Sequence, residues 1–313
     1  MRAVQNIHDP EVLYGEDASI LGELDARLCA GKRISWRPNQ TTSTQHRDQL
    51  SPLSSYLVDT QERQDVTVVI PTHRRTPLGL EAFCRQAKEV LVLWNGAQAI
   101  EYPAIDNLRW IHVPWQEHGK TRDLALSLVR TPYVFFSVDD AIPMGDMLYH
   151  LVQQYTDKWD AVVARQIPRP TADAYTKDAL YAWTPPARDS YVMSQSDHVG
   201  TIYKMDTLKR YPIPHVCIAE DVAWSMDKRI GCVPQAVLVH SHPRKMREIW
   251  KREWDIHRQL ERLQLPVPRV GLLDIFTGGL AAMRRYGIQE GYTSAGQIAV
   301  RLAAQRYRRH ITP

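Results

Sequence analysis

The chain is poor in several things that would have fixed its class at once. It has four cysteines in 313 residues (Cys29, Cys84, Cys217 and Cys232), widely spaced and with no Cys-x-x-Cys pair. That spacing excludes a zinc knuckle and a disulfide framework, and it suits buried reduced thiols in a cytoplasmic protein. The N-terminus has no apolar core of a secretory signal, and no stretch approaches the ~18 continuous apolar residues of a membrane span. The expectation is a cytoplasmic protein, at most peripheral at the inner face of a membrane. Charge of one sign is also scarce: the formal net charge is +4, too small to argue for a polyanionic partner. No internal repeat is present. Phenylalanine is sparse at four residues, against nine Trp and fourteen Tyr. Those two rings stack on sugars and bases while keeping a polar edge, although core packing uses them equally well.

What is present reads as one large α/β domain. Apolar content of 44% excludes a disordered chain. Residues 1–64 are polar and aperiodic, and are expected to form an N-terminal extension. Order begins at Val66. The β-branched run 66–70 predicts a buried strand, followed by helical spacing over 78–88. Further strands are expected at 89–94, 108–113, 133–138, 160–166, 199–204 and 236–240. Helices are expected at 120–129, at 147–155, from Glu220 onward, and over the basic stretch from 244. Two more helices are expected in 267–310. Alternation of this kind predicts a doubly wound, mostly parallel sheet with flanking helices and a C-terminal helical region. The expected boundaries are 1–64 for the extension, 65–245 for the catalytic domain and 246–313 for the helical region.

Ligands of such sheets bind at the carboxyl ends of the strands. Thr72, Asn95 and the Asp139–Asp140 pair all fall there. An Asp-Asp pair ahead of a helix also serves as a turn cap. Its chemical reading is different: hard divalent cations prefer carboxylate oxygens, and such an ion neutralises charge on a departing diphosphate. Lys120 and Arg122 open a helix after Gly119, and a helix N-terminus with basic side chains suits phosphate.

The blocks VTVVIPTHRR, VLWNG, GKTRDLAL, FFSVDDAIP, AEDVAWSMDKR and VHSHP occur in that order over residues 66–260. They resemble the family 2 glycosyltransferases of GT-A fold, most of all bacterial rhamnosyltransferase-type members, which also show stretches like ARQIPRPTADAY. The resemblance implies an inverting glycosyltransferase that uses Mn²⁺ or Mg²⁺ and a nucleoside-diphosphate sugar. The acceptor implied is a hydroxyl of a glycan or lipid-linked glycan, and the sugar rhamnose. Aligned on Pro143, Asp140 matches the metal ligand and Asp139 a ribose or sugar contact. Val138 stands where the family has a first carboxylate, so metal affinity should be weak until the diphosphate adds ligands. A second register, one residue later, is similar to exostosin C-terminal domains. The resemblance assigns Thr72, His73, Arg75, Asn95, Lys120 and Arg122 to the nucleotide-sugar. It makes Asp221 the general base, Glu220 its neighbour that orients it or the acceptor, and His240 or His242 a late metal ligand. Trp94 replaces the usual acidic residue before Asn95, which leaves the base open. Asp197, His198, Gly200 and Thr201 fall where the family lines its sugar pocket. Arg244 and Lys245 stand where they can close over phosphates.

Three other readings stay open at this point. The same fold can glycosylate a nucleic-acid base, although no nucleic-acid motif is present. A degenerate site can bind a nucleotide-sugar without turnover. A nucleotidyltransferase shares the sheet and its acidic ligands, but VTVVIPTHRR lacks the glycines of a phosphate loop.

Overall fold

A computed structural model describes residues 62–73, 76–96, 102–114, 116–169, 172–241, 245–265 and 271–309. Nine strands form one sheet, with β1 (Gln64–Thr72), β2 (Ala87–Trp94), β3 (Leu108–His112), β4 (Tyr133–Phe136), β5 (Ile142–Met144), β6 (Ala161–Ile167), β7 (Tyr191–Met193), β8 (Thr201–Lys204) and β9 (Ile230–Val239). Their spatial order is β3-β2-β1-β4-β8-β6-β9-β5, and β7 pairs with β9 off this path. Pairing directions set β1, β2, β3, β4, β6 and β9 running one way and β5, β7 and β8 the other. The sheet is therefore mostly parallel, as its βαβ alternation predicts.

Period-two side-chain alternation divides the core between the two faces of the sheet. Val68, Ile70, Val90, Val92, Phe135, Val162 and Ala164 enter one apolar cluster. Val69, Leu91, Leu93, Val134, Phe136, Ala161 and Val163 enter the other. Both faces are thus covered, which is why these strands are continuous apolar runs rather than alternating ones. Phe135 and Phe136 are each fully buried, one per face. Each contributes about 2–3 kcal/mol to stability.

The helices are α1 (Leu80–Gln86), α2 (His118–Leu126), α3 (Met147–Gln154), α4 (Ala174–Trp183), α5 (Met205–Arg210), α6 (Glu220–Ser225), α7 (Met246–Arg262), α8 (Leu272–Tyr286) and α9 (Ile288–Arg309). Several differ from expectation for local reasons. The helix from Glu220 stops after six residues, where Asp227 takes φ +59° and turns the chain into β9. The strand expected at 236–240 begins instead at Ile230. Pro234 makes this segment look broken, but the β6–β9 register jumps between Ala164↔Val233 and Arg165↔Val237, so Pro234 lies in a bulge where no ladder donor is needed. Residues 142–144, which the sequence assigned to no strand, form the short strand β5 along β9. Of the cysteines, Cys84 and Cys232 are buried, with burial pushing each thiol up to about 12. Cys217 is exposed, against expectation, and Cys29 lies outside the described residues. No helix among the described residues is long and apolar enough to cross a membrane.

Candidate active site

Because β1, β2, β4, β6 and β9 run the same way, their carboxyl ends share one edge of the sheet. The antiparallel β8 presents its beginning there, so Asp197 and His198, just ahead of it, reach the same edge. Topology thus collects residues separated by up to 168 positions, from Thr72 to His240.

The Asp139–Asp140 turn follows β4. Thr72, at the end of β1, donates its hydroxyl to Asp139 Oδ2 at 2.8 Å, and Leu78 N–H donates to the Asp139 carbonyl at 2.8 Å. Thr72 therefore orients Asp139; it is not a helix N-cap, since α1 starts only at Leu80. Gly79 makes this approach possible: a Cβ there would stand 2.5 Å from the Ala141 carbonyl.

Asp140 is buried at 2% exposure. Its Oδ1 lies 3.7 Å from His240 Nε2, and its Oδ2 lies 3.8 Å from Arg169 Nη2. Arg169 also donates to the Asp140 carbonyl. The opposite ring nitrogen of His240 is fixed by Gln166 Oε1 at 3.0 Å. That bond orients the imidazole so that Nε2 faces the carboxylate. Among the described residues no group of three His, Cys, Asp or Glu side chains is gathered for a metal. The protein does supply Asp140 and His240 side by side. Such a two-ligand set fits a hard cation that takes its other ligands from water and a diphosphate. His242 lies outside the described residues.

A second acidic group stands on the first turn of α6. Glu220, 4% exposed, forms an ion pair with the buried Arg122 of α2, Nη1 to Oε1 at 2.5 Å. His118 Nδ1 is 3.9 Å from the same oxygen. Arg122 also lies 5.9 Å from the Phe136 ring centroid. Ala219, the residue before Glu220, has φ +63°, a left-handed conformation that costs a non-glycine residue about 1 kcal/mol and aims the acidic pair. Asp221 has a different environment. Burial, then the charges of Asp197 and Glu220, push its carboxyl up to about 7. The α6 start is tied down by Ser225 Oγ, which donates to the Asp221 carbonyl and also accepts from Ser196 N–H at 2.8 Å.

Several buried polar atoms along this edge have no hydrogen-bond partner among the described residues: Asn95 Oδ1, Arg122 Nε, Ser137 Oγ and His198 Nε2. An unpartnered buried polar atom costs about 1–3 kcal/mol, so it marks a place where a ligand or water completes the structure. His198 Nδ1 is held 2.7 Å from the Tyr203 hydroxyl, which leaves Nε2 as the ring nitrogen without a hydrogen-bond partner among the described residues. Burial and the Arg122 charge keep this histidine well below its usual pKa, hence neutral.

Other residues singled out in the sequence have other surroundings. Lys120 Nζ pairs with Glu117 at 3.1 Å and is half exposed. His73 is exposed. Trp94 is 4% exposed and packs against Trp110, with ring centroids 6.2 Å apart, so it serves the core. Arg75 lies outside the described residues, as does Arg244. Sequence reasoning took no residue from ARQIPRPTADAY, yet Gln166 and Arg169 of that block hold His240 and Asp140. The signal was in the quoted block; only the strand pairing shows which of its side chains face the turn.

No protein-family model and no curated protein sequence matches the chain. Solved structures with a similar fold include residues 1–349 of S. aureus TarS in complex with UDP-GlcNAc, at 15% identity over 79% of this chain and 92% of that one, TM-score 0.43. Another is the mannosyltransferase PcManGT from Pyrobaculum calidifontis in complex with GDP-Man and Mn²⁺, at 16% identity over 86% of this chain and 85% of that one, TM-score 0.46. At TM-scores below 0.5 these likenesses decide nothing about substrate or chemistry, which the site's own residues must carry.

Proposed function

We propose that this protein is a metal-dependent glycosyltransferase that moves a sugar from a nucleoside diphosphate to an acceptor hydroxyl with inversion. The observation that carries the reading is the meeting, at one sheet edge, of the Asp140–His240 pair and the Asp221 carboxylate, among buried polar atoms that lack partners.

Glycosyl transfer needs two things from a protein: a sink for charge on the leaving diphosphate and a base for the attacking hydroxyl. A divalent cation held by Asp140 and His240, Mn²⁺ or Mg²⁺, supplies the first when bound. Asp221 supplies the second. A carboxylate at about 7 is half deprotonated at neutral pH and is a far better base than an ordinary aspartate. It takes the proton of the acceptor hydroxyl as that oxygen bonds the anomeric carbon. The bond from the anomeric carbon to the diphosphate oxygen breaks, and its electron pair leaves with the diphosphate. Glu220 is fixed by Arg122 and keeps α6 in place, so its part is positioning. Asn95 Oδ1 offers an acceptor to a base or ribose hydroxyl, and Arg122 Nε a donor to a phosphate. Thr72 holds Asp139 for the ribose or sugar. The family resemblance supports rhamnose as the sugar and a glycan or lipid-linked glycan as acceptor.

The test is a thermal-shift panel of nucleoside diphosphates and their sugars, rhamnose included, each with and without Mn²⁺. A ligand that binds only the native state raises the melting point by mass action. The expected result is a metal-dependent shift with one nucleotide and slow hydrolysis of its sugar, lost in Asp221→Asn. Tight binding with no turnover in any acceptor panel would leave a binding module instead.

A further inference from the structure

The positive charge of this chain is not spread evenly. Residues 245–309 hold 13 Lys and Arg against six Asp and Glu. That segment alone exceeds the +4 of the whole chain, so the remainder is net acidic. It forms the three helices α7, α8 and α9.

On α8, Leu272, Leu273, Phe276 and Leu280 recur at helical spacing on one face and are all exposed. Leu273 keeps 72% of its surface in solvent and Phe276 68%. The opposite face explains why the row is turned outward. Gly278 and Gly279 pack so closely on α9 that a Cβ at Gly279 would lie 2.9 Å from Ala295 Cβ, and one at Gly278 2.6 Å from Ile298 Cδ1. α8 is thus seated on α9 through its small residues, and its large ones are left outside. Arg284 follows Leu280 by one helical turn and is exposed on the same side. Ile288 and Tyr292, on the next helix, are exposed as well.

We infer that this face is a membrane-docking surface: the apolar row of α8 inserts into the interface of an anionic bilayer, and Arg284 at its end, with the net positive charge of the segment, meets the lipid headgroups. An amphipathic helix with large apolar side chains on one face and Arg or Lys beside them lies in the interface plane rather than crossing it. The described helices offer nothing that can span. A second copy of the chain fits this face less well. The row covers nine residues, Leu272 to Leu280, about 13 Å of helix, a strip far smaller than the ~800 Å² per partner of a specific interface. Self-association would also bring two strongly positive segments together. A polyanion such as nucleic acid would use the cations but leave the leucines and Phe276 wet. The inference does not depend on the glycosyltransferase reading; a docked enzyme would meet a lipid-linked acceptor at the same surface.

The experiment is sedimentation of the full chain with vesicles of phosphatidylcholine alone or with phosphatidylglycerol added, at low and physiological salt. The protein should pellet with the anionic vesicles, less at higher salt, and not with the neutral ones. Leu273→Asp combined with Phe276→Asp should weaken vesicle binding at least tenfold while the melting temperature stays unchanged, because both side chains are already in water. Arg284→Glu should weaken it about fivefold or more. Equal binding of all variants, or no binding to anionic vesicles, overturns the inference. So does a dimer, seen by sedimentation velocity, that the double Asp variant dissociates.

Discussion

Consider replacing Arg122 by Met, Glu220 by Gln, and then both together. The two side chains are 7% and 5% exposed and meet at 2.5 Å, so water does little to screen either charge. Removing one partner leaves the other charge buried and uncompensated, which costs about 3–5 kcal/mol. Each single variant should therefore lose that much, or about 6–10 °C of melting temperature at roughly 2 °C per kcal/mol for a chain of this size. The double variant removes both charges, and its cost should fall well below the sum. The coupling energy is expected to be about 2 kcal/mol or more. The assay is urea unfolding of the four proteins, with the slopes compared so that only midpoints move. Additive losses, with coupling near zero, would refute the claim that Arg122 anchors Glu220. The cycle also separates stability from activity. If the pair serves mainly to position α6, the double variant refolds well yet turns over slowly.

Four further outcomes are expected. Asp221 is raised from 3.8 to about 7, so its charged form is the disfavoured one in the native state. The folded protein holds that proton more tightly, so this group's contribution to stability is complete below pH ~3.8 and is lost as pH rises through about 7. Activity should rise over the same range with a midpoint near 7, and Asp197→Asn, which removes a like charge, should lower that midpoint by about one unit; an unmoved midpoint would show the limb belongs to another group. Asp221→Asn should abolish turnover and make the protein more stable at pH 8, measured by thermal melts, by up to about 4 kcal/mol. Asp140→Asn should erase the Mn²⁺-dependent part of any nucleotide-induced thermal shift while retaining the metal-free part, and a chelator should do the same to the native protein. Gly119→Ala places a Cβ 2.1 Å from the Pro214 carbonyl, backbone against backbone. It should cost roughly 2 kcal/mol or more and loosen the loop that leads into Glu220, seen as faster amide exchange over 212–219.

Much of the framework was legible because the strands are buried on both faces. Runs such as 66–70, 89–94 and 133–136 stand out by composition alone. Positions just past those runs, Thr72, Asn95 and Asp139–Asp140, could then be placed together at one edge of the sheet, since chain direction puts them there. The short strands escaped notice. β5 and the first half of β9 contain Pro143 and Pro234, and what makes them strands is a neighbour's hydrogen bonds, not their own propensity.

The sequence by itself determined the residue types at the sheet edge, their order and the concentration of positive charge in the last three helices. Pairing was decided by tertiary structure. Arg122, read as a phosphate ligand, spends one side of its guanidinium on Glu220, 98 residues away, and its Nε has no hydrogen-bond partner among the described residues. Thr72 turns toward Asp139, and Gln166 sets the ring of His240. The acidity of Asp221 likewise has no local signature; it comes from burial beside Asp197 and Glu220. The reason is physical. Apolar patterning is a property of neighbours along the chain, whereas which buried donor meets which acceptor, and which charge is left without one, depends on how distant segments are stacked.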